Sequence, residues 1–395
     1  MRRGETRMKL ARWAFFPLLA LALVLGGCGG GGAGKGNEVR IGLNLELSGQ
    51  TATFGQSAKN GARMAVEKIN ADGGLLGKKV VLVEGDNKSE KSESSSIALK
   101  LIQQDKVDVI VGTTISGTTL AMVNIADENK IPVISPTATN PDVTVDPKTK
   151  ATRPYVFRAC FIDPFQGEVA AKYAIQDLHA KKAAVFTEVS SDYAIGLRDA
   201  FKQAFTKLGG EIVAEESYQK NDKDFLSQLT RIRDAKPDVI FLPGYYQEAG
   251  IIIKQARSDL GIQVPIIGGD GFDSPKLVEI AGASNMAKVF LTNHYAADDP
   301  DPRIQEFVKE YQAKYNAIPD GFAVLGYDAV MLYADAVKRA GSTDPTKVKE
   351  ALEATKDLPL VSGTITIGPD HNPIKAAVVL EYVDGKQTFR KKVEP

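Results

Sequence analysis

Residues 107–140 read VDVIVGTTISGTTLAMVNIADENKIPVISPTATN. Val107–Val111 is a β-branched run of strand length, Thr118–Glu128 has helical spacing, and Pro132–Ser135 is a second short strand. Strand, helix and strand in that order form a right-handed crossover, which builds a parallel sheet covered on both faces. Both strands end in hydroxyl-rich turns, Gly112–Thr119 and Pro136–Asn140. In an open parallel sheet those carboxyl ends border the ligand crevice.

The same alternation extends outward. Upstream lie a strand at Val39–Leu45 and a helix at Phe54–Ile69, with Ala58, Ala62, Ala65, Val66 and Ile69 on one side. A strand at Lys79–Val83 and a helix at Ile97–Gln104 follow. Thr137–Pro154 is rich in Pro, Thr and Lys and reads as loop, after which the pattern restarts. Helices at 166–178, 194–208, 225–234 and 248–260 alternate with strands at 183–189, 212–218, 238–242 and 265–268. Three further helices, at 302–315, 322–340 and 345–355, precede a hairpin at 376–393 that turns at Asp384-Gly385. The fold class is therefore α/β, with two doubly wound parallel-sheet lobes.

The amino terminus predicts export. Arg2, Arg3, Arg7, Lys9 and Arg12 precede an apolar run, Trp13–Leu25, too short for a comfortable membrane span. It ends in Gly26-Gly27-Cys28, the pattern of a signal cut before a cysteine whose thiol is then acylated, and a Gly-rich tether follows. Residues 1–27 are read as signal peptide and 28–37 as lipidated Cys28 plus tether, which anchors the chain to the cell membrane facing the periplasm or exterior. Cleavage removes five basic and one acidic residue, leaving 44 basic and 48 acidic and a formal charge of about −4. No Lys/Arg block remains for nucleic acid. Cys160 loses its only possible thiol partner and is expected in the core.

Catalytic signatures are sparse. G-x-S-x-G, H-E-x-x-H, C-x-x-C and the phosphate-binding loop pattern do not occur, and nothing calls for a metal or cofactor. His179, His294 and His371 each read as a surface or capping residue rather than a base. What the chain does offer is paired chemistry at strand ends. Hydroxyls beside a helix start suit a carboxylate, and the second half ends its strands in Ser190–Tyr193, Pro243–Tyr246 and Gly269-Asp270-Gly271. A carboxylate and aromatic rings opposite hydroxyl loops suit a zwitterion.

The order of segments resembles the leucine/isoleucine/valine-binding proteins of amino-acid ABC importers. The resemblance rests on Leu47-Ser48-Gly49 with Phe54-Gly55, Gly61-Ala62, Ile69-Asn70, Gly73-Gly74, Ser135–Thr139, Phe157-Arg158, Gln166-Gly167, Tyr193, Gly244-Tyr245 and Gly326–Ala329. It implies the type I periplasmic binding fold with three chain crossings, near Ala159, Leu291 and Leu360. Lobe one would comprise 38–158 plus 291–359, and lobe two 159–290 plus 360–395. It also implies site roles. Ser116 and Thr139 would hold the ligand carboxylate, with main-chain groups of Thr137 and Ala138; Asp270 would face the ammonium beside Tyr193. Phe54, Tyr245 and Phe322 would wall the side chain, and Asp163 would support the ammonium from behind. Asp270 stands where the best-known members carry Glu, and the Ser116 loop and Thr137 also differ from them. The implied function is capture of a branched-chain or similar apolar amino acid by a monomeric solute-binding protein that delivers it to an ABC permease. A sensory protein without a transporter, or one binding a related small amide or acid, would use the same fold. An exported hydrolase would need a nucleophile with an oriented base.

Overall fold

The computed structural model describes residues 37–395, so the predicted signal and Cys28 lie outside the described residues. The first sheet holds five parallel strands: β1 (Glu38–Leu45), β2 (Lys79–Asp86), β3 (Val109–Gly112), β4 (Val133–Ser135) and β5 (Val156–Arg158), in the order β2-β1-β3-β4-β5. The second sheet repeats that order in β6 (Lys182–Glu188), β7 (Glu211–Tyr218), β8 (Val239–Phe241), β9 (Ile266–Gly268) and β10 (Val289–Asn293), which run β7-β6-β8-β9-β10. A small antiparallel sheet follows in the chain, made of β11 (Leu358–Leu360), β12 (Gly363–Ile367) and β13 (Pro373–Ile374). The hairpin β14 (Ala377–Val383) and β15 (Lys386–Val393) then adds antiparallel to β10. Every residue of β3 and β8 is buried, because helices cover both faces of a parallel sheet.

The helices are α1 (Ala52–Ala71), α2 (Lys91–Gln103), α3 (Ser116–Glu128), α4 (Asp163–Gln176), α5 (Asp192–Lys207), α6 (Leu226–Asp234), α7 (Tyr246–Lys254), α8 (Pro275–Ala281), α9 (Pro302–Tyr315), α10 (Gly321–Ala340) and α11 (Pro345–Glu353). One core joins β1 and β3 with α1, α10 and α11; another fills the second sheet and its helices. The contact of α1 with α10 is made through glycine. A Cβ on Gly61 would lie 1.8 Å from the Ala323 carbonyl oxygen, and one on Gly326 would lie 2.2 Å from that of Ala58. Only residues without a side chain let two backbones approach so closely. That approach brings the first turns of both helices together, and with them Phe54 and Phe322.

β10 stays in the second sheet through Asn293, two residues past the crossing expected near Leu291. One boundary differs from expectation. The third crossing falls at Lys375-Ala376, not at Leu360: Leu360, Ile365 and Ile367 are buried in the first core, and the chain joins the second sheet at Ala377. Strands β11 to β13 and β5 are two to five residues long, too short for period-two alternation to show.

Candidate ligand site

On the first half, a buried carboxylate fixes the hydroxyl loop. Glu46, just past β1, accepts from the Thr114 amide at 3.0 Å, the Thr118 hydroxyl at 2.6 Å and Asn87 Nδ2 at 3.2 Å, and also from the Thr114 hydroxyl. The loop ends at Ile115, which contributes no side-chain cap to α3, so the first-turn amides of that helix keep their capacity for an anion. Ser116 Oγ accepts from the Asn140 amide at 3.2 Å, which leaves its own proton to donate.

The second loop, after β4, is held from below by Arg158. Its fully buried guanidinium donates to the Ala138 carbonyl at 2.6 Å, the Asn140 carbonyl at 3.0 Å and the Thr144 hydroxyl at 3.1 Å. Thr137 Oγ1 donates to the Thr114 carbonyl at 2.7 Å, tying the two loops together. The Thr139 hydroxyl is buried and stands beside the Asp163 carboxyl without a well-formed hydrogen bond.

On the second half the charged group is held by side chains. Asp270 follows β9 and is 4 % exposed. Its Oδ1 accepts from Gln166 Nε2 at 2.8 Å, and its Oδ2 lies 3.2 Å from His294 Nε2. Tyr193 OH accepts from the Gly271 amide at 3.2 Å, so the ring is pinned to the same turn. Asp163, the first residue of α4, is fully buried with both carboxylate oxygens unpartnered. Burial pushes its carboxyl well above the usual range, against the Thr139 hydroxyl and the Arg158 guanidinium, which draw it down. The nearby Asp270 charge pushes it further up.

Aromatic rings complete the walls. Phe54 and Phe322 stack at 3.8 Å, Phe54 meets the edges of Tyr245 and Tyr246 at 5.9 and 5.1 Å, and Tyr193 stacks on Tyr245 at 5.3 Å. The Phe54 contacts with Tyr245 and Tyr246, and the Tyr246 hydroxyl on the Gln50 carbonyl at 2.8 Å, join the two halves. Between them lies a narrow cavity of only about 10 Å³, bordered by Ser116, Thr137, Tyr193, Tyr245, Asp270 and Phe322.

A family model for periplasmic binding proteins matches residues 38–387. The chain belongs to that family. It is 33 % identical to the Leu/Ile/Val-binding protein BraC3 of Rhizobium johnstonii over 84 % of this chain and 88 % of that one. Two solved structures superpose with a TM-score of 0.85. One is the leucine-binding protein LivK of Thermotoga maritima, 37 % identical over 90 % of this chain and 99 % of that one. The other is LivJ of Streptococcus pneumoniae, a branched-chain amino acid transporter substrate-binding protein in complex with isoleucine, 38 % identical over 91 % of this chain and all of that one.

In this periplasmic binding protein, six of the ten expected ligand residues border the central space, while Ala138, Thr139, Asp163 and Phe54 are buried around it. Ala138 differs from expectation, because both its main-chain groups are already used: its amide donates to Ser135 Oγ at 3.1 Å and its carbonyl accepts from Arg158. Neither His294 nor His371 is a surface residue. His371 stacks on Phe157 at 4.0 Å, with Nδ1 3.0 Å from the Val156 carbonyl oxygen and Nε2 3.1 Å from a Glu353 carboxylate oxygen. Cys160 packs in the core as expected, and burial pushes its thiol up to about 12. Of the two residues that hold Asp270, Gln166 stands in the resembling stretch but with no role implied there, and His294 carries no local signal that would single it out. Among the described residues no helix is long and apolar enough to cross a membrane.

Proposed function

We propose that this periplasmic binding protein captures a free branched-chain or similar apolar amino acid between its two halves and delivers it to an ABC importer. The observation that carries this reading is the pairing of opposite poles across one small space. Ser116 and the uncapped start of α3 stand on one side and the Asp270 carboxylate on the other, with Phe54, Phe322 and Tyr245 as the wall. An α-carboxylate suits the first pole and an α-ammonium the second, because a buried charge is tolerated only when paired. The aromatic wall then takes an aliphatic side chain, whose burial contributes ~1.5–3 kcal/mol. A ligand that touches both halves favours the closed arrangement, so capture and closure are one equilibrium. The connections at 159–162, 294–301 and 375–376 would serve as the hinge, and acylated Cys28 would keep the protein beside its permease.

Calorimetry with each of the common amino acids on the purified protein tests the reading. Leucine, isoleucine and valine are expected to bind best and to differ from one another by only ~1–3 kcal/mol, the scale of a single methylene. Tighter binding of glutamate or another polar amino acid would remove the apolar-wall assignment.

A further inference from the structure

The Asp270 carboxylate has a second anchor that the ligand reading does not use. His294 follows β10, where the chain leaves the second sheet, and its side chain is 1 % exposed. Its ring lies 3.9 Å from that of Phe161, from the first connecting segment, at 27°. A carboxylate oxygen accepts only, so the 3.2 Å contact of His294 Nε2 with Asp270 Oδ2 places a proton on Nε2. The neutral ring then carries a bare Nδ1, and that atom has no partner. His294 borders a cavity lined also by Lys375 of the third connecting segment.

We propose that His294 is a positioning residue for ligand capture: neutral, it aims Asp270 and leaves the carboxylate charge to the ligand ammonium, and protonated, it takes that charge and loosens the ligand. The proposal rests on Asp270 being the ammonium partner.

The surroundings set the direction. Burial lowers the His294 pKa, Asp270 raises it, and Lys375 lowers it further. Behind Asp270 stand Asp163, Tyr193 and Asp273, each of which feels its charge. Behind Lys375 stand Asp328 and Cys160. Asp299, Asp301, Arg303, Lys392 and Glu394 line the cavity beyond. The ring is therefore neutral at pH 7 and charges at a lower pH than a solvent-exposed histidine. A bound ammonium beside Asp270 opposes that protonation. Affinity is accordingly complete above the ring's pKa and falls, by up to about tenfold per pH unit, below it.

Calorimetry with leucine from pH 7.5 to 5 on wild type and His294→Gln tests this. Gln can donate to Asp270 but does not titrate. Wild type is expected to lose affinity toward the acid end of the range. His294→Gln should bind somewhat more weakly at pH 7.5 and show a flat profile. A flat wild-type profile overturns the proposal. So does an acid-side loss that persists in His294→Gln, which would assign the titration to another group, Asp163 first. An NMR arm does not depend on the ligand: imidazole nitrogen shifts should report the Nε2–H tautomer, and Asp270→Asn should lower the ring's pKa. The opposite tautomer, or an unmoved pKa, overturns the arrangement even if no amino acid binds, an outcome that would instead remove the proposed function.

Discussion

The two walls of the cleft hold their polar groups by opposite means. On the first half the atoms that border the central space are hydroxyls and helix amides, and the buried charges stand one layer back. Glu46 gathers donors from the loop after β3, and Arg158 gathers carbonyls from the loop after β4. On the second half the charge itself faces the space, and neutral side chains, Gln166 and His294, stand behind it. A charge placed behind a loop stabilises the loop whether or not ligand is present. A charge placed at the front contributes only when a counter-charge arrives, and until then it burdens the fold. Substitutions on the two walls should therefore separate binding from stability.

The largest expected effect is on the second wall. Asp270→Asn keeps size and turn-forming capacity and removes the charge. It should weaken leucine binding by ~2–5 kcal/mol, the scale for truncating a buried charge pair. The melting temperature without ligand should hold or rise, since the removed charge was buried with only neutral partners. Calorimetry and thermal unfolding of the same preparation read both quantities. Binding within about twofold of wild type would move the ammonium to Asp163, whose two oxygens are unpartnered.

The first wall should answer the other way. Glu46→Gln turns one acceptor oxygen into a donor among groups that all donate to it. Hydrogen bonds to a charged group contribute ~1.5–3 kcal/mol, so unliganded stability should fall by about 2 kcal/mol in denaturant unfolding. Affinity should fall less than in Asp270→Asn. Equal stability of Glu46→Gln and wild type would mean that the loop is held by the Thr113, Thr118 and Thr119 hydroxyl cluster alone.

The same contrast decides how much of the site is legible in the sequence. The first wall lies in two short runs at the ends of adjacent strands, Gly112–Thr119 and Pro136–Asn140, so neighbouring residues disclose it. Asp270 is visible because glycines flank it at a strand end. Its holders are not: Gln166 lies 104 positions away and His294 lies 24 away. Gln166 sits near the start of a helix, where polar residues are common, and His294 follows a strand, where capping is the simpler reading. Only the packing of α4 against the second sheet turns them toward one carboxylate. The crossing at Lys375 is hidden for a related reason. Leu360, Ile365 and Ile367 look equally suited to either core, and the chain's choice between them is tertiary.

The smallest expected effect separates front from back within the first wall itself. Thr139 Oγ1 is fully buried without a well-formed hydrogen bond, whereas Ser116 Oγ already accepts from the Asn140 amide. Thr139→Val preserves shape and removes the hydroxyl. An unsatisfied buried hydroxyl costs ~1–3 kcal/mol, so its removal should leave unliganded stability unchanged or raise it by up to about 1 kcal/mol. If the hydroxyl serves the ligand, leucine affinity should at the same time fall by about 1 kcal/mol, roughly fivefold. Ser116→Ala should instead lose both, because it strands the Asn140 amide as well as a ligand donor. Measured side by side, opposite signs in stability with a shared loss of affinity would place both hydroxyls on the ligand. An unchanged affinity in Thr139→Val would confine that hydroxyl to the Asp163 carboxyl beside it, and the carboxylate pole would then rest on Ser116 and the first turn of α3.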